Sequence, residues 1–140
     1  MSLTTGLAVI AILVAILSAH YARKALGETK RSNVIALHSS KKEIYDAFLH
    51  LKSHMEQKAD GVELTAVSNF YQHYKNSILY FDEALSKDIE IYFKMCFQIA
   101  DLNRTKITKE KRFELMDQVK VAAKFAVRIE EQLKNSMINK

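Results

Sequence analysis

The ten residues "NRTKITKEKR", Asn103 to Arg112, gather Arg104, Lys106, Lys109, Lys111 and Arg112 around what reads as a helix start. Unpaired backbone N–H groups and the positive end of the helix dipole converge at such a point, and both favour an anion such as phosphate. Thr105 and Thr108 add hydroxyls. The expected ligand-binding set is therefore Arg104, Thr105, Lys106, Thr108 and Lys109. A solvated basic loop has the same composition, because charge runs usually face water.

A second candidate lies at Lys41. Val34, Leu37, Ile44, Phe48, Leu51 and Met55 mark one apolar helical stripe, and Lys41 stands within it, seven residues from both Val34 and Phe48. With His38 and Tyr45 it could form a polar ligand site. It could equally be an edge lysine that reaches Asp82 or Glu83, or that extends its ammonium to water past an apolar stem.

Other chemistry is sparse. His50 and His54 are one turn apart, a spacing that suits two metal ligands on a helix, but no third ligand is in view and no metal is expected. Cys96 is the only cysteine, so an intramolecular disulfide is impossible; its run, "YFKMCFQIA", reads as a buried thiol. No Gly-rich phosphate loop, GxSxG or HExxH occurs, and no nucleophile, base and orienting group can be assembled. The expectation is a protein without enzymatic activity or cofactor.

These residues must be positioned by helices. The 140-residue chain has no proline and three glycines, where average usage gives roughly seven and ten. That deficit favours long helices over a turn-rich β fold. Nearly half the residues are hydrophobic, which argues against global disorder.

"LTTGLAVIAILVAILSAHYA" carries no charge from Leu3 to Ala22 and approaches the ~20 residues needed to cross a bilayer. Positive charge follows it, at Arg23, Lys24, Lys30 and Arg31, and none precedes it. A signal peptide has the opposite order. The positive-inside rule predicts a single-pass protein of the inner membrane with its N-terminus outside and the rest in the cytoplasm. Ala11, Ala15 and Ala19 recur every fourth residue, a pattern that lets membrane helices approach closely and predicts a homo-oligomer; alanine is also simply common in spans.

Four helical patterns follow. The first runs to about Glu56. The second covers about Glu63 to Phe81, with Val67, Phe70, Tyr71, Tyr74, Ile78 and Phe81 on one side. Asp82 is a good N-cap for the third, whose inner face should hold Leu85, Ile89, Tyr92, Cys96 and Ile99. Thr108 caps the fourth, with Phe113, Met116, Val119, Ala123, Ala126, Ile129 and Leu133 as its stripe. Short connections predict antiparallel neighbours. The expected fold is all-α: a transmembrane helix and juxtamembrane segment (1–28), then a cytoplasmic antiparallel four-helix bundle (29–140).

Two stretches, "ARKALGETKRSNVIALHSSKKEIYDAFLHL" and "ILYFDEALSKDIEIYF", resemble small bacterial single-span membrane proteins with a cytoplasmic helical domain. Among these the chain is similar to the membrane-anchored accessory effectors of type III CRISPR systems. That resemblance implies a cytoplasmic domain that binds cyclic tetra-adenylate as an oligomer, with a membrane part that acts in antiviral defence. A ligand with four equivalent phosphates would match a symmetric tetramer. The resemblance has no site motif of its own and assigns no ligand residues. The alternative is a constitutive membrane-anchored protein-interaction module with no nucleotide ligand.

Overall fold

The computed structural model describes residues 2–58, 61–105 and 108–138. Their secondary structure is entirely helical: α1 (Leu3–Lys58), α2 (Leu64–Asn69), α3 (Tyr71–Tyr80), α4 (Glu83–Arg104) and α5 (Lys109–Ile138). The chain divides into two units, Met1–Leu37 and His38–Lys140.

The first unit is the opening part of α1. Ser2 caps it, with its Oγ accepting from Thr5 N at 3.4 Å. Its apolar side chains are exposed, from Leu7 through Leu17 to Leu26. Among the described residues, one helix, α1, is long and apolar enough to cross a membrane. Ala11, Ala15 and Ala19 lie in this exposed part.

The second unit holds the core. Ile44, Phe48, Leu51 and Met55 carry the stripe of α1 into it, whereas Val34 and Leu37, assigned to the same stripe by spacing, lie in the first unit and are exposed. α4 is the central packing partner, in contact with α2, α3 and α5. All five of its expected inner residues, Leu85, Ile89, Tyr92, Cys96 and Ile99, are buried. Its N-terminus forms as expected, with Asp82 accepting from Leu85 N at 2.7 Å. α1 meets the others through large side chains: the Phe48 ring lies 5.2 Å from Tyr92 and 6.3 Å from Phe70.

The segment from Glu63 to Phe81 is not one helix but α2 and α3, broken at Phe70. Phe70 N bonds to Val67 O at 3.1 Å, a tight i−3 turn that advances the chain further around the axis per residue than an α-turn. The face of α3 rotates accordingly. Ser77 is buried, its Oγ donating to Tyr74 O at 2.6 Å, while Ile78 and Tyr71 are exposed.

The stripe of α5 is buried as expected at Ala126, Ile129 and Leu133 but differs in the first half of the helix. Leu115, Ala122, Ala126, Ile129 and Leu133 are buried, with Val119 partly buried beside them; Phe113, Met116 and Ala123 are exposed. Both sets have helical spacing. Tyr92 of α4 lines a groove with Ala122, Ala123 and Ala126 of α5.

Candidate functional site

α4 ends where its last turn meets Thr105, whose backbone is extended. Thr105 N and Oγ1 both donate to Leu102 O, at 3.3 and 2.9 Å. α5 begins at Lys109, and Thr108 caps it as expected: Thr108 Oγ1 accepts from Lys111 N at 3.4 Å, and Thr108 O from Arg112 N at 3.0 Å. The Thr105 hydroxyl thus gives its proton to backbone, whereas Thr108 only accepts and keeps its O–H as a donor. Arg104, Lys109, Lys111 and Arg112 are exposed around the connection. Lys106 lies outside the described residues. Glu110, in the first turn of α5, is the acidic neighbour of this cluster. Next to Arg104, the Asn103 side chain has both polar atoms buried without a hydrogen-bond partner among the described residues.

Lys41 sits elsewhere. It is half-buried and lines a polar crevice of about 400 Å³ with Asp82, Gln132, Asn135 and Ser136. Its Nζ lies 5.9 Å from the centre of the Phe81 ring, at the edge of cation–π range. The crevice lies by the N-terminus of α4 and the basic connection by its C-terminus. That helix has 22 residues, so about 33 Å of helix separates the two candidates. Of the set Lys41, His38 and Tyr45, only Lys41 lines the crevice; His38 is exposed and Tyr45 packs partly against the core.

The two histidines one turn apart differ in their surroundings. His54 Nε2 accepts from Glu63 N at 3.2 Å and so holds the chain entering α2. His50, His54 and His73 line a shallow groove of about 330 Å³. Among the described residues, no three His, Cys, Asp or Glu side chains are placed to hold an ion. Cys96 is fully buried, and burial pushes its thiol up to about 12.

An aromatic surface on α3 and α4 was not expected from the sequence. Tyr71, Phe93 and Phe97 line a groove of about 520 Å³ with Ser68, Lys94 and Gln98. Tyr74 stacks on Phe93 at 4.6 Å, and Lys75 Nζ stands 5.6 Å over the Tyr71 ring. Phe97 falls outside the inner stripe of α4, four residues after Phe93. An aromatic one turn beyond a core aromatic, off the buried face, was the available signal.

No protein-family model, curated protein or solved structure matches this chain. What fold and site define is a class: among the described residues, an all-helical chain with one helix long and apolar enough to cross a membrane, and a helical unit, His38–Lys140, that carries exposed basic residues at the ends of α4 and α5.

Proposed function

We propose that the protein is a membrane-anchored signalling effector without enzymatic activity, whose helical unit binds a cyclic oligoadenylate second messenger as a homo-oligomer and thereby alters the membrane part in antiviral defence. The observation that carries this reading is the exposed cationic cluster of Arg104, Lys109, Lys111 and Arg112 at the turn between α4 and α5, in a chain of net charge +5 that also contains a span-like helix. The identity of the messenger comes from the resemblance of the chain to type III CRISPR membrane effectors. Ligand binding acts on the membrane part by favouring one arrangement of the subunits over another; a tetramer suits a ligand with four equivalent phosphates.

In this reading residues 1–28 form the span and its flank, with the N-terminus outside, because Arg23, Lys24, Lys30 and Arg31 all follow the apolar run. Residues 29–140 form an antiparallel four-helix bundle in the cytoplasm, with α2 and α3 together as one of its four members. The Arg128–Asp88 ion pair at 3.2 Å and the place of Leu85 beside Gln132 support the antiparallel course of α4 and α5.

A rival reading, a constitutive interaction module, draws on the exposed apolar side chains of α5, Phe113, Met116, Val121 and Val127. The deciding experiment is calorimetric titration of the full chain in lipid nanodiscs with a panel of cyclic oligonucleotides. Saturable binding of cyclic tetra-adenylate supports the effector. No heat with any member, in protein that stays folded, sinks it in favour of the module.

A further inference from the structure

The groove between α3 and α4 combines features that a purely structural aromatic cluster does not need. Phe93 forms its floor and is buried, yet Tyr71 and Phe97 beside it remain 48% and 43% exposed. Tyr71 meets Phe93 edge-on at 5.9 Å, and Phe97 lies tilted to it at 6.4 Å. Two large rings are thus supported from below and left open above. A volume of about 520 Å³ falls within the range of small-molecule sites.

The rim is polar and cationic. Ser68 and Gln98 offer a hydroxyl and an amide. Lys94 lines the groove and is paired with Glu90 at 2.7 Å, while Lys75 stands over Tyr71 and has no ion pair among the described residues. Arg104 follows Phe97 by seven residues on α4, so both leave the helix on nearly the same side, about 10 Å apart along its axis. An aliphatic ligand would gain only apolar burial from these walls and would leave the cationic rim without a partner. A planar heteroaromatic ring gains a stacking face, and anionic groups attached to it gain the lysines and Arg104.

From this we infer that the Tyr71–Phe97 groove is a base-stacking platform, which takes the nucleobase of an anionic nucleotide while its phosphates extend along α4 toward Arg104. The inference deepens the proposed function, because it rests on that reading for a phosphate site near Arg104 and adds where a base would lie. Ser68 and Gln98 would then meet the edge of the base, the part that differs between nucleobases.

The chain contains no tryptophan, so Phe97→Trp introduces a single indole into the platform. The test uses the full chain in nanodiscs. Adenosine 5′-monophosphate should quench the fluorescence of this variant, and ribose 5-phosphate, which lacks a base, should not. By calorimetry with cyclic tetra-adenylate, Phe97→Ala and Tyr71→Ala should each bind roughly 5- to 150-fold more weakly, the range for one lost stacking contact. Phe97→Trp should bind at least as tightly as the parent.

Each failure has a distinct meaning. If Arg104→Ala weakens binding of cyclic tetra-adenylate but Phe97→Ala and Tyr71→Ala do not, the platform is wrong and the effector reading stands. If cyclic tetra-adenylate does not bind but adenosine 5′-monophosphate still quenches the indole, the cyclic-messenger reading falls and the platform stands. Equal quenching by ribose 5-phosphate, or none by either probe, overturns the platform. So does a change in the mass of the assembly on Phe97→Ala, which would make the groove a face between subunits.

Discussion

Lys52 Nζ lies 2.6 Å from Glu130 Oε2, a charged hydrogen bond that ties the last turns of α1 to the C-terminal half of α5. Both side chains are about four-fifths buried, and Lys134 and Glu56 extend the pair at 3.1 and 3.5 Å. Hydrogen bonding from Lys52, then from Lys134, holds the Glu130 carboxyl below its ordinary value, and the bond to Glu130 raises Lys52.

Stability should follow this pair at both ends of the pH scale. The depressed Glu130 contributes stability that is present above about 4.5 and lost as pH falls through its folded value; the raised Lys52 contributes below about 10.5 and loses it as pH rises through its own. Glu130→Gln and Lys52→Met should each cost roughly 1–2 kcal/mol at neutral pH, as expected for a partly buried charged hydrogen bond. Denaturant titrations at pH 7 and pH 4 should show a smaller acid loss in Glu130→Gln than in the parent. An identical acid limb in both would show that the pair does not govern it.

Cys96 should be inert in the folded protein. Its thiol is fully buried and its ionisation is suppressed by that burial, so little thiolate forms at neutral pH. Maleimide labelling at pH 7.5 should be negligible for hours and complete within minutes in denaturant. Rapid labelling without denaturant would contradict the packing of α4.

Orientation in the membrane is testable by fusion. Positive charge that only follows the apolar run predicts a cytoplasmic C-terminus. A reporter that works only in the cytoplasm should be active when fused after Lys140, and one that works only after export should be silent. The reverse result would remove the basis for a cytoplasmic second messenger.

The Ala11, Ala15 and Ala19 face should join subunits. Ala15→Ile adds bulk where close approach is needed and leaves apolarity, hence insertion, intact. Cross-linking in membranes should then yield fewer oligomers. An unchanged ladder would show that this face is not the interface.

At the basic connection, Arg104→Ala should weaken phosphate-containing ligands by roughly 10- to 150-fold, because arginine can hold phosphate through two parallel hydrogen bonds. Binding should also fall with salt. Lys41→Met keeps an apolar stem of similar length and removes the charge. If it abolishes binding while Arg104→Ala does not, the ligand occupies the crevice beside Asp82, some 33 Å of helix away.

Much of the architecture was legible because it depends on local chemistry. An uncharged run of sufficient length marks the span-like part of α1 whatever packs around it. Asp82 and Thr108 cap helices through bonds within three residues, and the stripe of α4 from Leu85 to Ile99 keeps one helical register, although Phe93 is buried beside it and Phe97 lies open. The charge of the basic connection could be read as well. That the Thr105 hydroxyl is spent on Leu102 O could not, since this depends on the backbone angles at the helix end. Where a segment has two faces of helical spacing, periodicity cannot choose between them; packing against the partner does. On α5, Leu115 and Ala122 are buried where Phe113, Met116 and Ala123 were expected, while Ala126, Ile129 and Leu133 serve either stripe. The tight turn at Phe70 likewise sent Ser77 inward and Ile78 outward, and left Tyr71 open beside Phe97. Those two rings are 26 positions apart in the chain, and only the packing of α3 on α4 brings them to one groove.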